Sequence, residues 1–166
     1  MTDKQKILLL YLIFFGGVVT AYLPDMTVQG YSILLGLVSL ILAYIFRARA
    51  DEDDLVWHHS TFMIRTIWIW SLFLSLGMVG AGYIVSTQAD MSDLQNIMDM
   101  ATSGSIPDEA EMDAAGRAYF DTNFNLILKT TLMWLAPAQV YAVWRIYKGL
   151  SRAMNGYRVQ NLRNWF

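Results

Sequence analysis

The residue types best able to do chemistry crowd into one stretch, RARADEDDLVWHH at 47–59, with Arg65 following shortly after. Acids, a histidine pair and arginines together suggest acid–base work, a metal site or an anion site. His58 and His59 are neighbours, so on a helix their side chains diverge by about 100° and cannot share one ion unaided. Asp54, His58 and Arg65 fall on one helical face. The sharper expectation is therefore a local polar network of Asp54, His58, His59 and Arg65, or the same groups holding a lipid headgroup at a membrane surface. The zinc spacings His-x-x-x-His and His-Glu-x-x-His are absent. Axial haem ligands would come from separate helices, whereas the only two histidines sit side by side. With no cysteine either, no metal and no cofactor is expected. The acids 51–54 also suit the N-terminal end of a following helix, where negative charge meets the positive end of the helix dipole.

Signatures of catalysis elsewhere are missing. There is no nucleophile elbow, no phosphate-cradling glycine loop and no pair of carboxylates spaced for acid–base chemistry. Gly16-Gly17 lies within an apolar run, where it allows close approach or a bend. The chain is not expected to be an enzyme, and its charges are too few and too dispersed for nucleic-acid binding.

The elements that must position these residues follow from composition. Of 166 residues, 55% are hydrophobic and 16% charged, which is too apolar for an ordinary soluble domain. Four stretches approach the length needed to cross a hydrocarbon core, about 20 helical residues with about 17 tolerated: 7–23, 30–46, 61–85 and 124–147. The expected fold is thus an all-α membrane protein, a single four-span bundle over 1–166. Pro24 and Asp25 halt the first helix before the second and make a tight hairpin. Val19-Thr20-Ala21 could also pass for a signal-peptidase site; the segment is read as a retained first span. Pro137 is expected to kink the fourth.

Orientation follows from the basic residues. One side carries ten Lys and Arg (Lys4, Lys6, Arg47, Arg49, Arg65, Arg145, Lys148, Arg152, Arg158, Arg163) against five acids. The other has only Arg117 and Lys129 against nine acids, completing the chain's 12 bases and 14 acids. The positive-inside rule then puts both termini and the 47–60 loop in the cytoplasm and 86–123 in the periplasm.

Segment 86–123 is too long for a bare turn and is expected to be an external helical insertion, a cap over about 90–122. Met91, Leu94, Met98 and Ala101 recur at helical spacing, with Asp90 or Ser92 placed as a cap. After a TSGS break, Pro107, Asp108 and Glu109 start a second helix running towards the fourth span, with Gly116 its weak point.

Small residues four apart mark close helix contacts: Ser32 with Gly36, Ser71 with Ser75, Gly77 with Ala81, and Gly82 with Ser86. Arg65, Lys129 and Arg145 lie near span ends and are read as snorkelling anchors, leaving the span centres without ionisable groups. The most polar mid-span residue is Gln139. Trp68, Trp70, Trp134 and Trp144, with Tyr11, Tyr22, Tyr44 and Tyr83, divide between interfacial belt and core. Leu162, Trp165 and Phe166 give the basic C-terminal segment an amphipathic, surface-lying character.

Arg47-Ala-Arg49-Ala50, then Trp57-His58-His59, Ile64-Arg65-Thr66-Ile67-Trp68 and Trp144-Arg145 with Lys148-Gly149-Leu150 resemble a family of small proteobacterial inner-membrane proteins of unknown function. That family is distantly similar to a chloroplast import-translocon membrane component. The resemblance covers three of the four spans, implies a bacterial inner-membrane location and supplies no catalytic residues. The 86–123 insertion departs from it.

Together these features lead to the expectation of an accessory or assembly subunit of a larger membrane protein complex. Its partners would be membrane lipids, other membrane subunits or a second copy of itself. The alternative is a small transporter or channel with a path near Gln139 and Pro137.

Overall fold

Residues 1–21 and 26–159 are described by the computed structural model, without the side chains of residues 26, 27 and 29. Every regular element among them is helical: α1 (Asp3–Thr20), α2 (Met26–Ala48), α3 (Leu55–Gln88), a 3-10 turn (Ser92–Leu94), α4 (Gln95–Ser103) and α5 (Glu109–Met154). The expected turn residues Pro24 and Asp25, the belt residue Tyr22 and the tail residues Leu162, Trp165 and Phe166 lie outside the described residues.

Three helices are long and apolar enough to cross a membrane among the described residues: Gly30–Ala48 within α2, α3 and α5. The expected first span is not one of them. Asp3, Lys4 and Lys6 occupy the first turn of α1, and the expected run 7–23 continues past the end of α1 at Thr20 into Tyr22 and Leu23, which lie outside the described residues.

α3 and α5 are longer than their expected spans. Their 34 and 46 residues amount to roughly 50 and 70 Å of helical rise, against a hydrocarbon core about 30 Å thick. The second cap helix is not a separate element but the beginning of α5. Asp108 and Glu111 start it with a reciprocal capping box: Glu111 N–H donates to Asp108 Oδ1 at 2.7 Å and Asp108 N–H to Glu111 Oε2 at 3.1 Å. Nothing downstream stops it, because Gly116 costs only about 1 kcal/mol in a helix and α5 runs through Pro137 as well.

The chain divides into two compact units, one of Met1–Phe73 with Pro137–Phe166 and one of Leu74–Ala136. In the first, α1 and α2 form an antiparallel hairpin. Ser32 Oγ donates to the Gly17 carbonyl at 2.7 Å and Ser39 Oγ to the Leu10 carbonyl at 3.2 Å. In sequence both serine–carbonyl pairs have the same midpoint, between positions 24 and 25, as the register of antiparallel helices requires. A Cβ on Gly17 would stand 3.2 Å from the Ser32 carbonyl, so the missing side chain is what lets the backbones approach. Trp70 of α3 closes on this hairpin, edge-to-face with Phe14 at 5.3 Å and against Gly36. From α5 come Ala138, Ala142, Ile146, Gly149 and Ala153, buried at helical spacing.

In the second unit α3 and α5 meet through glycines. A Cβ on Gly77 would lie 2.5 Å from the Trp134 carbonyl, and one on Gly80 2.5 Å from the Trp134 ring. Asn123 ties the chain beyond α3 to α5: its Oδ1 accepts from Asp90 N–H at 2.8 Å, while Nδ2 donates to the Asp90 and Tyr119 carbonyls at 2.9 Å each. Thr122 adds a 2.7 Å hydrogen bond to Asp93. α4 stops at Gly104, whose φ of 80° is open to glycine and strained for other residues, and Ser105 N–H then reaches back to the Met100 carbonyl at 3.0 Å.

Candidate functional site

The polar groups of the first unit converge from α1, α3 and α5. Arg145 is the centre of one cluster. The sequence reading made it an interfacial anchor, but its side chain turns inward and only 1% of the residue is exposed. It lies on the stripe that continues through Gly149, and the flat guanidinium stacks over the Phe62 ring with its carbon 3.7 Å from the centroid. Nε–H donates to Thr66 Oγ1 at 3.1 Å, and the Thr66 hydroxyl passes its own proton to the Phe62 carbonyl at 2.8 Å. Phe62 and Thr66 are one helical turn apart, so α3 presents ring and hydroxyl on one face. Arg145 still lies two residues from the end of the expected span 124–147, so what the structure changes is the direction of its side chain, inward rather than out towards an interface.

His59 centres the second cluster. Its Nε2 faces the Tyr157 carbonyl at 3.1 Å and its Nδ1 faces the Tyr11 hydroxyl at 3.1 Å. A carbonyl can only accept, so Nε2 carries the proton; with the ring neutral, Nδ1 accepts from the Tyr11 hydroxyl. The two bonds clamp α1, α3 and the segment after α5 around one imidazole. Tyr11 is fully enclosed, and a Cβ at Gly149 would overlap its hydroxyl and stand 2.6 Å from Cζ. Only glycine fits opposite it.

The four polar residues singled out between 54 and 65 are placed differently from one another. Asp54 accepts from Asp51 N–H at 3.1 Å, closing the turn before α3. His58 packs edge-to-face on Trp57 at 5.3 Å, and its Nδ1 is buried with no hydrogen-bond partner among the described residues. His59 is buried and bonded to Tyr11 and Tyr157, and Arg65 is half-buried. Arg47 stacks over Trp57 at 5.3 Å. No grouping of three or more His, Asp or Glu suited to a metal occurs among the described residues.

Gln139 is 1% exposed, and neither atom of its amide has a hydrogen-bond partner among the described residues. Of the small residues, Ser32 and Gly36 are buried in the first unit and Gly77 in the second, Ser71 and Ala81 are half-buried, and Ser75, Gly82 and Ser86 face outward. Among the aromatic residues, Trp70 and Tyr11 are core. Trp68 and Tyr44 are exposed and joined by a 3.3 Å hydrogen bond.

Sequence reasoning passed over Tyr11 as a partner for histidine, and it missed Thr66, Gly149 and Asn123. Gly149 carried a usable signal, since it lies one helical turn after Arg145 within an otherwise bulky segment. Asn123 carried none, because the partner it reaches across the chain, Asp90, is remote in sequence and offers only backbone groups.

The structural meaning of these clusters is cohesion. Both ring nitrogens of His59 are engaged in fixed bonds, the Tyr11 hydroxyl is walled in by Gly149, and the Arg145 guanidinium is sandwiched against an aromatic ring. Comparison with known protein families, with curated proteins and with solved structures returned no match.

Proposed function

We propose that this chain is a non-enzymatic accessory or assembly subunit of a larger bacterial inner-membrane protein complex, related to the proteobacterial family it resembles. In this reading α1 acts as a fourth span within its hairpin with α2, since Leu12, Phe15 and Val19 present an apolar outer face. Residues 1–6, 47–54 and 148–159 lie in the cytoplasm and 86–123 in the periplasm. The first unit is the folded anchor, and the second presents the contact surface to another membrane subunit.

The observation that carries this reading is α4. A nine-residue helix is too short to hold itself together in water, yet α4 buries none of its residues fully within this chain. Around it Met91, Met98, Ile106 and Met112 are exposed, Ile106 at 94%, amid the acids Asp93, Asp99, Asp108, Glu109 and Glu111. Acids at that density keep the segment out of hydrocarbon, so lipid is not the natural cover for those apolar groups, and a protein partner is. Extraction in mild detergent followed by native mass spectrometry is expected to return a stoichiometric protein partner that the Met98→Asp, Ile106→Asp double variant loses. A solitary chain, indifferent to that double variant, would overturn the proposal.

A second reading, a small transporter or channel with a path near Gln139 and Pro137, is favoured by the unpartnered Gln139 amide, because a buried polar group without a bond calls for water or a ligand. It requires solute or ion flux in proteoliposomes that Gln139→Leu abolishes. Flux unchanged by that variant would end it.

A further inference from the structure

The last turn of α5 and the residues after it enclose an open cleft of about 600 Å³ lined by Ser151, Arg152, Asn155, Gly156, Tyr157 and Arg158. The end of a helix ordinarily favours cations, because its last carbonyls point outward without partners. Here that preference is cancelled group by group. The Ser151 carbonyl accepts from Asn155 Nδ2 at 2.9 Å, Arg152 from Tyr157 N–H at 2.9 Å, Ala153 from Gly156 N–H at 3.1 Å and Met154 from Lys4 Nζ at 3.1 Å. Gly156 makes this possible with a φ of 72°. Beyond the helix, the Arg158 carbonyl takes Arg152 Nη1 at 3.2 Å and the Tyr157 carbonyl is held by His59. With the carbonyls occupied, the guanidinium heads set the sign of the cleft.

Among the described residues, the one acid paired with them is weakly placed. Asp53 meets Arg158 Nη1 at 3.4 Å, and its side chain is 96% exposed, so solvent screens the pair. Arg152 donates to a neutral carbonyl and keeps its full charge. Exposed Tyr157 and Met154 beside the cleft provide the amphipathic rim common where protein meets headgroups.

The geometry points to a binding site for a phosphate monoanion or diester, held by Arg152 and Arg158 with the Ser151 hydroxyl and Tyr157 at its edge. The anionic phospholipid headgroup is one source of that chemistry and free phosphate the other. The lipid arm rests on the proposed membrane residence, whereas the phosphate arm does not, and neither depends on the partner subunit at α4.

The test measures thermal unfolding of the full chain in neutral detergent, titrated with phosphatidylglycerol, with phosphatidylcholine and with inorganic phosphate. Phosphatidylglycerol or inorganic phosphate is expected to raise the midpoint where phosphatidylcholine does not. A response to phosphatidylglycerol alone assigns a lipid headgroup, and an equal response to inorganic phosphate assigns free phosphate. Arg152→Gln with Arg158→Gln should weaken apparent binding about thirtyfold, at roughly fivefold per arginine. Asp53→Asn, which removes the competing carboxylate and leaves both arginines, should tighten it. The inference falls if the wild type responds equally to both lipids and not to phosphate. It falls equally if a folded double variant keeps the whole response, or if Asp53→Asn weakens binding.

Discussion

The two units spend the same residue types in opposite ways. In the first, Tyr11, Phe14, Phe62, Met63 and Trp70 are buried, and around them sit His59, Thr66, Gln139 and Arg145, all but excluded from solvent. In the second, Leu76, Met78, Val79, Tyr83, Leu132 and Met133 are exposed, and the groups that reach burial are Gly77, Asn123 and Thr130. Apolar content alone therefore does not tell a core from a surface in this chain. What distinguishes the first unit is that α1, α2, α3 and α5 contribute side chains and the segment after α5 a carbonyl, so several polar groups find partners across elements. The second has essentially α3 against α5, and two helices cannot enclose much between them. Its glycines bring the backbones together, and its large side chains are left facing outward, where lipid or protein must cover them.

Paired glycine substitutions should break this contrast most visibly. Gly149→Val, which drives a branched side chain into the enclosed Tyr11 ring, is expected to cost about 3 kcal/mol of stability. Gly82→Val in the second unit, where a Cβ meets nothing within 4 Å, should stay within about 0.5 kcal/mol. Unfolding midpoints of the two variants in detergent decide it, and equal losses would mean the second unit is as closely enclosed as the first.

Thr66→Val keeps the shape of the side chain and removes the oxygen that receives Arg145 Nε–H. Removing a neutral partner from a buried charged donor is expected to cost about 2 kcal/mol. Thr66→Ser, which keeps the hydroxyl, should recover most of it, and recovery by Val instead would show that the methyl matters and the hydrogen bond does not.

Asn123→Ala unties Asp90 from α5 in the second unit. A loss of about 1 kcal/mol is expected, read as faster amide exchange at Asp90, with amides around His59 unchanged. Slower or unaltered exchange at Asp90 would show that the amide bridge does not hold the cap.

The smallest effect is a pH dependence. The Asp90 carboxyl is held below the usual carboxylate range by the Ser92 N–H, at 2.9 Å, and the Ser92 hydroxyl. A depressed folded-state value means that the stabilisation is complete above the ordinary carboxylate pKa of about 4 and is lost as the pH falls through the lower folded value. Exchange of the Ser92 amide should therefore accelerate, beyond its intrinsic pH trend, only below about pH 4. Asp90→Asn should show no such step.

Several of these features could be read from residue order, and the reasons are local. Helix is legible wherever apolar runs exceed a membrane's thickness, and three of the four expected spans correspond to helices of sufficient length and apolarity. The start of α5 was visible in Pro107, Asp108 and Glu109, although Pro107 precedes the helix and it is Asp108 that caps it, with Glu111 three residues on. The continuity of α5 through Gly116 was not, because a single glycine's cost of about 1 kcal/mol is small beside what the rest of a 46-residue helix contributes.

Side-chain destination was the part that residue order left open. Arg145 and Arg65 stand at comparable distances from helix ends, yet one is enclosed and the other half-buried. Which of them turns inward depends on whether a neighbouring helix brings suitable groups to meet it, and Phe62 and Thr66 of α3 bring a ring and a hydroxyl to Arg145 of α5. His58 and His59 are consecutive and about 100° apart in helix rotation, and that rotation alone sends His58 towards Trp57 and His59 towards Tyr11. Short-range order thus determined that these helices form and where charge collects. Tertiary contact decided which polar groups are core: for His59 and Arg145 another element supplies the hydrogen bond that offsets burial, whereas the Gln139 amide is buried without one among the described residues.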